Sequence, residues 1–253
     1  MAYNRLPADL PARLRAAGLT VVEVDGWRDR GRPASTGGFD PVGVLAHHTA
    51  TSRASRDVDV VRLLVNGRSD LPGPLCQLGL DRDGVVHVIA SGRANHAGKA
   101  KASGTVAAGD GNELYIGIEA FNDGRGEPWP KVQYDAYVLL CATLCREVTG
   151  NSVNTVRGHK ETSVTGKIDP TFDMSEFRNR VAAAKVATTR EPAPTPAERK
   201  AAARKAKGRD LANDLDPVIR AARSGRHRFP AIAKALGKAR ASLRGKRDTK
   251  EGA

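Results

Sequence analysis

Over the first 186 residues, short apolar stretches recur between clusters of glycine, proline and small polar residues. Val42 to Ala46 is a nearly unbroken apolar run, the pattern of a buried strand, and it stops at His47. Tyr115-Ile116-Gly117-Ile118-Glu119 alternates instead, which puts Tyr115, Gly117 and Glu119 on one face of a strand and the two isoleucines on the other. Leu19 to Val24 and Gly84 to Ala90 are further strands, the second announced by the turn dipeptide Asp83-Gly84. The β-branched stretch Val153 to Val156 predicts another, with His159 just beyond its end. Helical patterns fall at Ala8 to Ala17, Asp57 to Val65, Tyr134 to Thr149 and Met174 to Ala187. Strands alternate with helices, so the expected fold is α/β, a central mixed β-sheet flanked by helices with the functional site at one edge of the strand ends.

Beyond about residue 187 the pattern stops. TTREPAPTPAERK has a linker's proline and alanine content, and alanine, lysine and arginine dominate the remaining residues. The expected organisation is a catalytic domain over 1–186, a linker over 187–197 and a basic helical region over 198–253. Charge follows the same boundary: residues 187–253 hold 18 Lys and Arg against 7 Asp and Glu, so +11 of the formal +13 lies there. Leu211, Leu215 and Ile219 keep helical spacing, as do Ile232, Ala235 and Leu236, and either a helical hairpin or a loosely ordered arm satisfies that pattern. Such a basic segment suits an anionic wall polymer, a nucleic acid or a membrane surface. Its single aromatic, Phe229, leaves little for base stacking, so no specific nucleic acid is expected.

No apolar run approaches the roughly 20 residues of a membrane span. The opening MAYNRLPADLPARLRAAG carries arginines but no continuous hydrophobic stretch, so neither a transmembrane segment nor a secretory signal peptide is expected. Cys76, Cys141 and Cys145 suit a reducing compartment, the last two packing as small apolar residues of a helix.

The candidate chemistry rests on residues far apart in the chain. His47 in VGVLAHHTAT and His159 in VRGHKETSVTGKIDP both follow strands, and Asp169 lies ten residues after the second. Two imidazoles and a carboxylate give Zn²⁺ three ligands and leave a fourth corner for water, which distinguishes a catalytic site from a closed structural one. Glu119, a carboxylate that ends an apolar strand, is costly to bury and is a natural general base beside such a water. The other polar residues have plainer readings. His48 points away from its neighbour and packs or supports it, His87 is an ordinary strand residue, and His227 belongs to the basic tail. Asn122 and Trp129 follow Glu119 in a loop rich in glycine and proline, where a Trp can form a saccharide platform or cap the core.

Four blocks in order, HHTAT, GRANHAG, IGIEAFND and GHKETSVTGKIDPTFDM, resemble the zinc-dependent N-acetylmuramoyl-L-alanine amidases of the peptidoglycan-recognition and phage-endolysin type. The resemblance covers about residues 40 to 178. It implies the peptidoglycan-recognition-protein-like amidase fold and one zinc ion held by His47, His159 and Asp169, with Glu119 activating its water and Lys167 steadying the oxyanion. His96 would lie near the substrate without being a ligand, and Asn122 and Trp129 are the remaining candidate contacts. The implied reaction is hydrolysis of the amide between N-acetylmuramic acid and L-alanine of peptidoglycan. A monomeric phage endolysin, held in the host cytoplasm until lysis and bound to anionic wall polymers by its basic tail, is the leading expectation. A non-catalytic peptidoglycan-binding module and a cytosolic muropeptide-recycling amidase are the alternatives.

Overall fold

The computed structural model describes residues 4–186 and centres on one six-stranded sheet. In chain order its strands are β1 (Val21–Glu23), β2 (Gly43–His48), β3 (Leu78–Leu80), β4 (Val86–Val88), β5 (Tyr115–Ala120) and β6 (Val156–Gly158). Across the sheet they run β1-β4-β3-β5-β2-β6. Every neighbouring pair is parallel except β3 with β4, a hairpin closed through Gly84, whose φ of 80° favours glycine. The sheet is therefore mixed, as the alternation of strands and helices predicts.

Helices α1 (Leu10–Ala16), α3 (Lys131–Leu144) and α4 (Met174–Ala183) pack on one face. Leu10, Leu14, Tyr137, Leu140, Phe177 and Val181 meet Val44, Ala46, Ile116 and Ile118 there in a single core. Helix α2 (Asp57–Asn66) belongs to a second cluster, in which Val60 and Leu64 meet Cys76, Ile89 and Phe121. Each such large apolar side chain contributes about 1.5–3 kcal/mol by leaving water. Helix α4 begins at Asp173, whose side chain accepts from the Glu176 N–H at 2.7 Å. The three cysteines are free and buried.

Three expectations shift. The helix predicted to run to Thr149 ends as an α-helix at Leu144 and continues as a wider turn over Cys145–Thr149. Val153–Thr155 is a 3₁₀ turn, capped by Ser152, and the strand starts only at Val156, so a local side-chain cap outweighs β-branched propensity there. Strand β3 has no counterpart in the sequence reading: three residues buried throughout offer no period to detect. The linker 187–197 and the basic region 198–253 lie outside the described residues. Among the described residues no helix is long and apolar enough to cross a membrane.

Candidate metal centre and cleft

Strand register builds the site. β2 and β5 pair so that His47 lies opposite Glu119, on the same face of adjacent parallel strands. On the other side of β2, Ala46 pairs with Gly158, the last residue of β6, and His159 opens the one-turn helix His159–Thr162 directly afterwards. The three side chains therefore emerge together at the carboxyl ends of parallel strands, where open α/β sheets bind ligands. Glu161 holds the turn under His159: its carboxylate accepts from the Gly158 N–H at 2.8 Å, from Arg157 at 2.9 Å and from Arg178 at 2.8 Å. Lys160 ties down the returning loop, its main-chain N–H donating to the Asp169 carbonyl and its ammonium to the Phe172 carbonyl, both at 2.7 Å. From α3, the buried Tyr137 hydroxyl accepts the His47 N–H at 2.9 Å and faces the His47 and Ile118 carbonyls at 3.1 Å.

These supports bring three donor atoms together. His47 Nδ1 lies 3.1 Å from His159 Nδ1 and 2.9 Å from Asp169 Oδ2, and the last two are 3.2 Å apart. A tetrahedral zinc with bonds of about 2.0 Å separates its donors by about 3.3 Å, so the triangle has the size of one face of that tetrahedron. Two imidazole nitrogens aimed at each other and at a carboxylate fit a shared cation. Burial lowers the pKa of His47, against the hydrogen bond and charge of Asp169, which favours the neutral imidazole a metal needs. For Asp169, burial raises the pKa, but hydrogen bonds from His159 and His47 outweigh it and hold the carboxyl well below the usual carboxylate range.

The triangle opens into a cleft of about 740 Å³. Leucines 63, 64, 71 and 75 line it together with the cations Arg68, Arg125 and Lys167. Glu119 lines it as well, and its Oε2 is buried without a hydrogen-bond partner among the described residues. Burial pushes the Glu119 carboxyl well above the ordinary range, the Asp169 charge adds to this, and Lys167 and Arg68 oppose it. A carboxyl raised in this direction beside a cation site is suited to accept and return a proton.

Residues 38–172, more than half of the chain, match the family model Amidase_2, described as N-acetylmuramoyl-L-alanine amidase. The chain belongs to this amidase family. No curated protein matches it. Solved structures similar to this amidase include N-acetylmuramoyl-L-alanine amidase LysC from Clostridium intestinale URNW, at 16% identity and TM-score 0.47, covering 64% of this chain and 97% of that one. The catalytic domain of XlyA is similar at 20% identity and TM-score 0.47, over 64% of this chain and 99% of that one. An AmpD derivative follows at 18% identity and TM-score 0.46, over 64% and 93% respectively.

Of the residues singled out from the amidase's sequence, the structure gathers His47, His159 and Asp169 into the triangle and brings Glu119, Lys167 and His96 to the cleft. His48, read as a residue that packs or supports its neighbour, also lines the cleft, because β2 ends beside the glycine of the 122–127 loop. A Cβ on Gly124 would lie 2.2 Å from His48 Nε2. Asn122 and Trp129, the remaining candidate contacts, do not line this cleft. Asn122 is fully buried and organises its own loop, accepting from the Gly124 N–H at 2.9 Å and donating to the Glu127 carbonyl at 3.3 Å. Trp129 donates to Thr171 Oγ1 at 2.9 Å and packs its ring on Phe172, the core role open to it. Sequence reasoning missed Tyr137, Lys160 and Glu161. Tyr137 alone carried a signal, since a tyrosine on the apolar stripe of a helix must find a buried partner for its hydroxyl.

Proposed function

We propose that the chain is a zinc-dependent hydrolase of the amide between N-acetylmuramic acid and L-alanine of peptidoglycan. The observation that carries this reading is the triangle of His47, His159 and Asp169 donors with Glu119 on the neighbouring strand, its Oε2 without a hydrogen-bond partner among the described residues. A zinc ion there supplies Lewis-acid polarisation of the scissile carbonyl and can lower the pKa of water to about 7.

The chain's own residues do the rest. Glu119 takes a proton from the attacking water as the new carbon–oxygen bond forms at the lactyl carbonyl. It then delivers that proton to the L-alanine nitrogen as the carbon–nitrogen bond breaks, so one carboxyl serves both transfers. Lys167, exposed on the loop before Asp169 and part of the cleft lining, offers its ammonium to the carbonyl oxygen as that oxygen gains charge. The leucine wall and the cationic rim suit a peptide that carries both apolar side chains and carboxylates.

The finer biological role is lysis of a host wall by a phage endolysin, released from the cytoplasm at lysis and held on anionic wall polymers by residues 198–253. Electrostatic attachment predicts that binding of the full chain to sedimented walls falls steeply as salt rises. Binding insensitive to salt would remove that role for the basic region. For the enzyme itself, the decisive test is metal content: about one zinc per chain, lost in His159→Ala, with hydrolysis abolished by chelation and restored by zinc. Full hydrolysis by a thoroughly chelated protein would overturn the reading.

A further inference from the structure

The geometry points to His96 as a positioning residue for His47, accepting the N–H of the ring nitrogen that faces away from the donor triangle. The inference rests on the zinc reading above. His47 turns Nδ1 toward Asp169 and His159, and its Nε2 lies 3.1 Å from His96 Nδ1. The two rings meet edge to face, with centroids 5.2 Å apart at 86°. A neutral imidazole that binds a metal through one nitrogen carries its proton on the other, so His47 Nε2 is the donor and His96 Nδ1 the acceptor. Metal-binding histidines depend on such a partner to fix the ring and raise its basicity.

The acceptor is itself held from two sides. Asn112 Oδ1 accepts the main-chain N–H groups of His96 at 2.9 Å and Ala97 at 2.8 Å, and Asp110 Oδ1 accepts from the Asn112 N–H at 3.0 Å. Under the ring lies Gly117, on the same face of β5 as Glu119. A Cβ at Gly117 would stand 2.7 Å from His96 Cγ and Nδ1, closer than van der Waals contact allows. Glycine inside a strand weakens it and often marks a close approach, and here the approach is that of the His96 imidazole. Gly117, Asn112 and His96 together form a bracket behind the metal ligand. His96 thus acts through His47, which replaces the expectation that it touches substrate.

The test is zinc affinity of the full chain, measured against a competing chelator, for wild type, His96→Phe, His96→Gln and Gly117→Ala. His96→Phe should bind zinc about 10- to 100-fold more weakly. His96→Gln offers a side-chain oxygen as acceptor and should recover most of that loss. Gly117→Ala should weaken zinc although His96 remains in the chain, because the ring must move. Zinc-loaded wild type should also show a slowly exchanging imidazole N–H resonance that His96→Phe lacks. Thermal melts of the metal-free variants check that each is folded. Unchanged zinc affinity in folded His96→Phe, with only KM raised, would make His96 a substrate contact and overturn the inference. A wild type that takes up no zinc would overturn the zinc reading and the inference with it.

Discussion

Replacing Tyr137 with phenylalanine removes one oxygen atom and leaves the ring. That ring packs against Phe177 with centroids 5.3 Å apart and against Phe172 at 5.9 Å, so no cavity larger than the hydroxyl opens. The loss is the acceptor of the His47 N–H at 2.9 Å and the hydroxyl that faces the His47 and Ile118 carbonyls at 3.1 Å, all of it buried. Leaving a buried donor unsatisfied costs about 1–3 kcal/mol, and about 2 kcal/mol is the expected loss. For a domain of this size, that lowers the melting temperature by about 4–8 °C. Paired thermal and urea denaturation of the metal-free full chain measures it, and an unchanged urea m-value would place the loss in the native state. The same orphaned N–H belongs to a residue proposed to hold zinc, so zinc affinity should fall with stability. A Tyr137→Phe protein that melts within about 1 °C of wild type would refute the pinning of β2 to β5 through this hydroxyl.

Other perturbations read out different parts of the molecule. Lys167→Ala should lower turnover by about 10²–10³ while zinc content stays unchanged, and loss of zinc would contradict a role confined to the oxyanion. Glu127 pairs with Arg82 at 2.7 Å and 5% side-chain exposure, and Arg82 in turn donates to the Thr51 carbonyl, so Glu127→Ala should cost about 3–5 kcal/mol in a denaturation titration. Tyr115 is buried, its hydroxyl has no partner among the described residues, and burial pushes its pKa up to about 12. The unfolded chain releases this proton near pH 10, so the contribution is fully present below that pH and is lost as the pH rises toward 12. Over that window, wild type should lose up to about 2.7 kcal/mol more than Tyr115→Phe, and equal alkaline slopes for the two proteins would remove the buried phenol as the cause.

The strands that carry the site were legible because each combines a run or an alternation with a polar residue at its end. Val42 to Ala46 ends on His47, and the alternation through Tyr115 reaches Glu119, so the register of His47 with Glu119 realises two local patterns at once. Strand β3 stayed hidden because Leu78–Leu80 is too short to show a period, although it joins the β4 hairpin to β5. The directions of Asn122 and Trp129 stayed open for a related reason: a glycine- and proline-rich loop does not say which way its side chains turn. The bracket of Asn112, His96 and Gly117 closes only in three dimensions, since β5 must lie beneath the loop before the glycine's purpose is visible.

Amidase chemistry at the cleft is tested most sharply by mass-spectrometric analysis of peptidoglycan fragments released by the wild type and by Glu119→Ala. Wild type should release stem peptides with new free L-alanine amino termini and leave the glycan chains unbroken, while Glu119→Ala retains zinc and releases none. Fragments cut within the glycan or within the peptide, or full release by Glu119→Ala, would contradict the assignment of the bond and of its base.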